Sequence, residues 1–136
     1  MKILVACTGN SCRSQLAEGL FKDLKPEWKV FSGCTQAASK VASAAIEILY
    51  EIGIDISENQ TNYLDEYDIQ EFDHCIAFSE DAKFYLDDKT DNLTYYEVYD
   101  PLFSGAETRK DELEVYRKTR DIILIDIKEF IKKGKQ

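Results

Sequence analysis

A cysteine and an arginine with five residues between them lie close to the start of the chain, at Cys7 and Arg13. The residues between them are small or polar, and Gly9 allows the backbone to approach a ligand closely. Backbone N–H groups of a loop that enters a helix converge on an anion, and a guanidinium group binds two oxygens of the same anion. The spacing therefore predicts a binding site for phosphate or a similar tetrahedral oxyanion. We assign this site to Thr8, Gly9, Asn10, Ser11, Cys12, Arg13 and Ser14.

Cys7 is the residue of this loop that can act as a nucleophile. It follows the short apolar run of residues 3–6, which predicts a buried strand. The positive field of the loop and of Arg13 favours the thiolate form of Cys7, and the Ser14 hydroxyl can donate a hydrogen bond to that thiolate. No cluster of His, Cys and Asp has the spacing of metal ligands, and no glycine-rich nucleotide motif occurs. We therefore expect neither a metal nor another cofactor.

Strand and helix patterns alternate after this loop. Ser14 is expected to be the N-cap of a helix that stops before Pro26, and Gly53 is expected to end a helix over residues 41–52. Further strands are expected at residues 28–31, 74–78 and 95–99, and a long helix at residues 113–130. Trp28 is expected to be a strand residue packed on a helix.

This alternation predicts an α/β fold with one domain over residues 1–136. We expect an open parallel four-stranded sheet with helices on both faces and the phosphate-binding loop after the first strand. Ligands in such sheets bind beyond the carboxyl ends of the strands, where residues 7–14 would lie.

The charge balance excludes several classes of partner. The chain has 17 Lys and Arg against 26 Asp and Glu, a net charge of −9, which disfavours nucleic acid and anionic membrane surfaces. No apolar run is long enough to span a membrane or to form a secretory signal, so a cytoplasmic protein is expected. Thiols stay reduced in that compartment, and the 4 cysteines are therefore not a disulfide scaffold.

The loop resembles that of the low-molecular-weight protein tyrosine phosphatases and of the arsenate reductases that share their fold. The resemblance rests on Cys-x5-Arg-Ser at residues 7–14 with Gly and Asn inside it, and it extends through residues 17–19, residues 53–57 and the Asp100-Pro101 pair. It implies that Asp100 is the general acid and base, that Cys7 and Arg13 are catalytic, and that Asn10 braces the loop through Ser32.

Two features of the resemblance favour different branches of the family. Ser14-Gln15 matches the arsenate reductases, because the phosphatases usually have proline after the serine. Thioredoxin-linked arsenate reductases, however, take their two electrons from a cysteine pair just after the third strand, and residues 78–85 contain no cysteine.

The remaining cysteines have two interpretations each, packing or redox chemistry. Cys75 lies inside a predicted strand, which favours packing. Cys34 follows the second strand and is a candidate redox partner of Cys7, while Cys12 resembles the phosphatase cysteine that forms a reversible disulfide with the nucleophile.

The residues around Asp100 bear on the substrate. In the phosphatases aromatic residues usually follow the Asp-Pro pair and hold a phenyl ring, whereas here Leu102-Phe103 follows and only Phe103 is available as a wall. Five acidic residues precede it in a stretch that is either solvated surface or a rim that disfavours acidic peptides. They are Glu80, Asp81, Asp87, Asp88 and Asp91.

The favoured hypothesis is a cysteine-dependent phosphomonoesterase acting on a phosphorylated protein or a small aryl phosphate. The alternative is an arsenate reductase of the same fold that uses an external thiol donor. A third hypothesis is a non-catalytic phosphate or phosphoprotein sensor. The presence of both Cys7 and Asp100 argues against it, because binding alone needs neither a thiolate nor an acid.

Overall fold

The computed structural model of the chain describes residues 1–9, 12–36 and 40–133. Its four strands are β1 (Lys2–Cys7), β2 (Lys29–Cys34), β3 (His74–Ala77) and β4 (Leu93–Tyr95). Its four α-helices are α1 (Arg13–Leu24), α2 (Ser43–Tyr50), α3 (Glu80–Asp87) and α4 (Arg109–Lys133). Short 3-10 helices cover Leu64–Glu66, Ile69–Glu71 and Pro101–Phe103. None of the helices in these ranges is long and apolar enough to cross a membrane.

The strands form one parallel sheet in the order β2-β1-β3-β4, as the α/β pattern predicts. Alternate residues of the central strand β1 enter different cores: Ile3 and Val5 pack on the side of α1, α2 and α4, whereas Leu4 and Ala6 pack on the side of α3. Helices therefore cover both faces of the sheet. Only the ends of the strands can present polar side chains to a ligand.

The end of α2 follows from one glycine. Gly53 has a φ of 83°, which costs a glycine little because it has no Cβ. The N–H of Ile54 then donates to the carbonyl of Leu49, and the N–H of Gly53 to that of Tyr50. The prediction that Gly53 ends this helix is confirmed.

Three element predictions are corrected by the structure. The fourth strand occupies Leu93–Tyr95 instead of residues 95–99, because β3, its pairing partner, ends at Ala77 and pairing stops with it. Trp28 precedes β2 and packs against the rings of Phe21 and Phe130 from a turn. The strand β2 itself extends three residues further than predicted, to Cys34.

Helix α3 has no counterpart among the predicted elements. Only Ala82 and Leu86 of its residues are buried, so its apolar stripe is too sparse to show helical periodicity. Its start does carry a capping signal, since the Oγ of Ser79 accepts a hydrogen bond from the N–H of Ala82 at 3.3 Å.

Candidate active site

Cys7 is the last residue of β1 and is 2% exposed. Its Sγ lies 3.0 Å from the Oγ of Ser14, in the first turn of α1. The predicted contact between the thiol and this hydroxyl is therefore present. The prediction that Ser14 is the N-cap of α1 is wrong: the helix begins at Arg13, and the N-cap position is Cys12, which makes no side-chain capping hydrogen bond.

The guanidinium group of Arg13 is buried and held from several sides. Its Nη1 donates to the backbone carbonyls of Phe78, at 3.2 Å, and Val98, at 2.9 Å. Its Nη2 donates to the Oγ1 of Thr8, at 3.4 Å, and lies 3.3 Å from the Oδ2 of Asp100. Contacts from the ends of three strand regions thus fix the orientation of one permanent positive charge.

Asp100 reaches the site from the loop after β4. Its Oδ1 accepts a hydrogen bond from the N–H of Leu102 at 3.0 Å and caps the 3-10 helix that begins at Pro101. Its Oδ2 is the atom that pairs with Arg13, and its side chain is 22% exposed. One carboxylate oxygen therefore fixes the side chain, while the other faces the guanidinium group and remains accessible to solvent.

Asp81 is a residue of this site that the loop motif does not reveal. It lies in the first turn of α3, and its Oδ1 accepts a hydrogen bond from the Oγ1 of Thr8 at 2.7 Å, while its Oδ2 accepts one from Thr35. Burial opposes its ionisation, but the hydrogen bonds from Thr35, Thr8 and Ser79 outweigh burial and lower the pKa of Asp81 below its ordinary value. Asp81 thus ties the start of the phosphate loop to α3 and to the end of β2. Two signals in the sequence point to it, namely the acidic stretch predicted as surface or rim and the capping pattern at Ser79, which places acidic residues in the first turn of a helix.

A cavity of about 540 Å³ opens beside Arg13 and Asp100. The rings of Tyr95 and Tyr99 line it, together with the carboxylates of Glu80 and Glu97. Phe103 does not line it and is 71% exposed, so the expected aromatic wall is wrong and two tyrosines take its place. Tyr99 precedes the 3-10 helix that begins with Pro101, and its hydroxyl donates to the carbonyl of Phe103 at 2.9 Å.

Of the five acidic residues predicted as surface or rim, Glu80 and Asp81 line this cavity. The other three do not, since they lie at or beyond the far end of α3, away from the phosphate loop. They are Asp87, Asp88 and Asp91.

The other cysteines differ in their access to Cys7. Cys34 pairs with Cys7 in the register of β1 and β2, but its Sγ donates to the carbonyl of Asn62 at 3.0 Å. Burial, followed by the neighbouring Cys7, raises the pKa of Cys34 to about 12, and burial likewise raises the pKa of Cys12. Cys75 is fully buried on the α3 side of the sheet, whereas Cys7 lies on the α1 side. Its burial agrees with the packing interpretation.

Part of the predicted loop lies outside the described residues, namely Asn10 and Ser11. The proposed partner of Asn10, Ser32, has a buried Oγ without a hydrogen-bond partner among the residues that the structure describes. The brace between them stays a prediction. In the same described ranges no group of three or more His, Cys, Asp and Glu side chains is arranged to hold a metal ion.

Replacing Ser14 with alanine tests its contact with Cys7. We expect Ser14→Ala to lower kcat/KM for an aryl phosphate about 10- to 100-fold, since a hydrogen bond to a charged group contributes roughly 1.5–3 kcal/mol and about 1.36 kcal/mol corresponds to one decade of rate. Steady-state kinetics with p-nitrophenyl phosphate measures the effect. The matched control is Ser57→Ala, which changes an exposed serine outside the cavity; equal rates for both variants would remove Ser14 from the site.

A family model, curated relatives and solved structures all match this chain, and they agree on one family. The family model of the low molecular weight phosphotyrosine protein phosphatases matches residues 2–135. The arsenate reductase of Halalkalibacterium halodurans is 35% identical over 136 residues, which cover 98% of this chain and 96% of the relative. An arsenate reductase of Staphylococcus epidermidis is 44% identical over 81 residues; this match spans 59% of the chain and only 61% of that relative. Among solved structures, the low molecular weight protein tyrosine phosphatase from T. tengcongensis is 32% identical with a TM-score of 0.82, and the match covers 98% of this chain and 99% of the other.

Proposed function

The chain belongs to the low molecular weight phosphotyrosine protein phosphatase family, and from this premise we propose that it is a cysteine-dependent phosphomonoesterase for aryl phosphates such as phosphotyrosine. The observation that carries the proposal is the contact of Arg13 with Asp100 at 3.3 Å, next to a thiol, Cys7, that is hydrogen-bonded to Ser14. Arg13 and Asp100, as oxyanion clamp and acid, line one cavity, and Cys7, as nucleophile, directly precedes Thr8 of the same lining.

In the first step the Sγ of Cys7 attacks phosphorus, and the bond between phosphorus and the ester oxygen breaks. The phosphate dianion replaces Asp100 as the partner of the Arg13 guanidinium group, and the released carboxylate takes up one proton from the solvent. Asp100 then gives this proton to the departing oxygen. In the second step water attacks the phosphocysteine while Asp100 takes a proton from that water. Phosphate leaves, and the thiolate of Cys7 is restored beside the hydroxyl of Ser14.

The second candidate is arsenate reduction, which the similarity to the arsenate reductase of Halalkalibacterium halodurans favours. Reduction of arsenate to arsenite consumes two electrons, and two thiols supply them by becoming a disulfide. Within the chain, Cys75 is on the opposite face of the sheet from Cys7. The raised pKa values of Cys12 and Cys34 leave little thiolate at neutral pH. We therefore expect a reductase built on this site to use a thiol from outside the chain.

A single-turnover experiment separates the two candidates. Fully reduced protein is mixed with arsenate in the absence of any other thiol, released arsenite is counted, and disulfides are mapped by mass spectrometry. We expect no arsenite, because no second thiol of the chain is ready to attack the sulfur of Cys7. One arsenite per chain, together with a disulfide between Cys7 and Cys34 or Cys12, would instead make the protein a self-contained reductase.

The hypothesis of an arsenate reductase that uses an external thiol donor is tested in the same assay by adding glutathione or a thioredoxin. Repeated turnover of arsenate with either donor would favour the reductase. Hydrolysis of p-nitrophenyl phosphate without repeated turnover of arsenate supports the phosphatase.

A further inference from the structure

Two carboxylates in the lining of the active-site cavity have no partner among the residues that the structure describes. Glu80 is the first residue of α3 and Glu97 follows β4, and both are exposed. Neither forms an ion pair or a side-chain hydrogen bond with any residue in the described ranges. The two other acidic residues of the lining are engaged: Asp81 accepts hydrogen bonds from threonine hydroxyls, and Asp100 pairs with Arg13. Of the carboxylates in the described lining, Glu80 and Glu97 are therefore the two that are available to the groups flanking the phosphate.

The negative charges of Glu80 and Glu97 both act on Tyr95, whose ring lines the cavity. Burial raises the pKa of Tyr95, and the negative charges of Glu97 and Glu80 raise it further. The ring of Tyr95 already attracts a cation of the chain, since the Nζ of Lys83 lies 5.5 Å from its centroid, although Lys83 does not line the cavity. Aromatic faces next to carboxylates are the surroundings in which ammonium and guanidinium groups bind.

The charge balance of the cavity favours the same kind of ligand. Arg13 is the one cation of its described lining, against four carboxylates. A bound phosphate group pairs with Arg13 and neutralises its positive charge. The other charged side chains of the lining are then all carboxylates, so the surroundings of the phosphate are negative. The whole chain adds to this with its net charge of −9.

We propose that Glu80 and Glu97 make the enzyme selective for phosphorylated substrates that carry a lysine or arginine beside the phosphorylated residue, and that they disfavour acidic neighbours. This inference rests on the proposed phosphatase activity and names the substrate class of that site. The two carboxylates are specificity residues, because they contact the groups that flank the phosphate and take no part in its transfer.

The expected size of the effect follows from exposed charge pairs. Such pairs contribute modestly in water, and we expect about a threefold change in kcat/KM for each carboxylate that meets a substrate cation. Raising the salt concentration from about 0.05 to about 0.5 M shortens the Debye length roughly threefold, and the preference should shrink with it.

The test uses three phosphotyrosyl peptides that differ only in the residues flanking phosphotyrosine: lysine, glutamine or glutamate. Their kcat/KM values are measured for the wild type, for Glu80→Gln, Glu97→Gln and the double variant, and each is divided by the value for p-nitrophenyl phosphate with the same protein. Asp91→Asn is the matched control, since it removes one exposed negative charge outside the cavity.

We expect the wild type to prefer the lysine peptide over the glutamate peptide about tenfold at low salt, and the double variant to lose most of that ratio. The control should keep it. Hydrolysis of all three peptides at equal rates, or a ratio that survives in the double variant, overturns the inference and leaves the phosphatase intact. No hydrolysis of any substrate, p-nitrophenyl phosphate included, overturns the proposed function and this inference with it.

Discussion

Cys7→Ser is expected to abolish turnover of aryl phosphates, with kcat falling about 10⁵-fold or more, as is typical when the nucleophile of a covalent mechanism is removed. The serine hydroxyl at the end of β1 is a far weaker nucleophile than a thiolate. Binding of inorganic phosphate should persist, because Arg13 and the loop backbone are unchanged. Steady-state kinetics and isothermal titration with phosphate measure the two quantities separately.

The control for this substitution is Cys75→Ala, which removes a thiol on the opposite face of the sheet. It should keep turnover, although it costs some stability because the thiol is fully buried. Turnover that survives in Cys7→Ser would mean that the chemistry does not pass through a phosphocysteine. A wild type that binds phosphate without any turnover would instead favour a phosphate sensor.

Asp100→Asn is the substitution for which we expect the second large loss of kcat. The amide oxygen can still accept the hydrogen bond from the N–H of Leu102, so the 3-10 helix keeps its cap, but the amide cannot deliver a proton. We expect kcat to fall about 10²- to 10³-fold for phenyl phosphate, whose leaving oxygen needs the proton, and only about tenfold for p-nitrophenyl phosphate.

The comparison of leaving groups is what identifies the acid. Asp100→Ala, which also removes the cap, adds a loss of local stability of about 1 kcal/mol that thermal unfolding detects. Equal losses of kcat with both esters in Asp100→Asn would remove Asp100 from the acid role and leave it as a partner of Arg13.

Several features of the fold are readable from neighbouring residues. The apolar run before Cys7 and the glycine that ends α2 each depend on local chemistry, and each appears where the sequence predicts it. Helix α3 is missed because two buried residues make too short a pattern, and β4 is misplaced because its extent depends on β3. Strand pairing is a contact between distant parts of the chain, which no local window reports.

The sequence by itself determined the candidate nucleophile and its neighbours, since Cys7, Arg13 and Ser14 lie within eight consecutive residues and their spacing predicts the chemistry. The tertiary structure decided what surrounds that loop. The strand order β2-β1-β3-β4 brings the carboxyl ends of β1, β3 and β4 to one edge, and there Asp81, Glu97 and Tyr99 meet a phosphate loop that lies about seventy residues or more earlier in the chain. The physical reason is that side chains so far apart in sequence come together only through the pairing of parallel strands and the packing of helices on both faces.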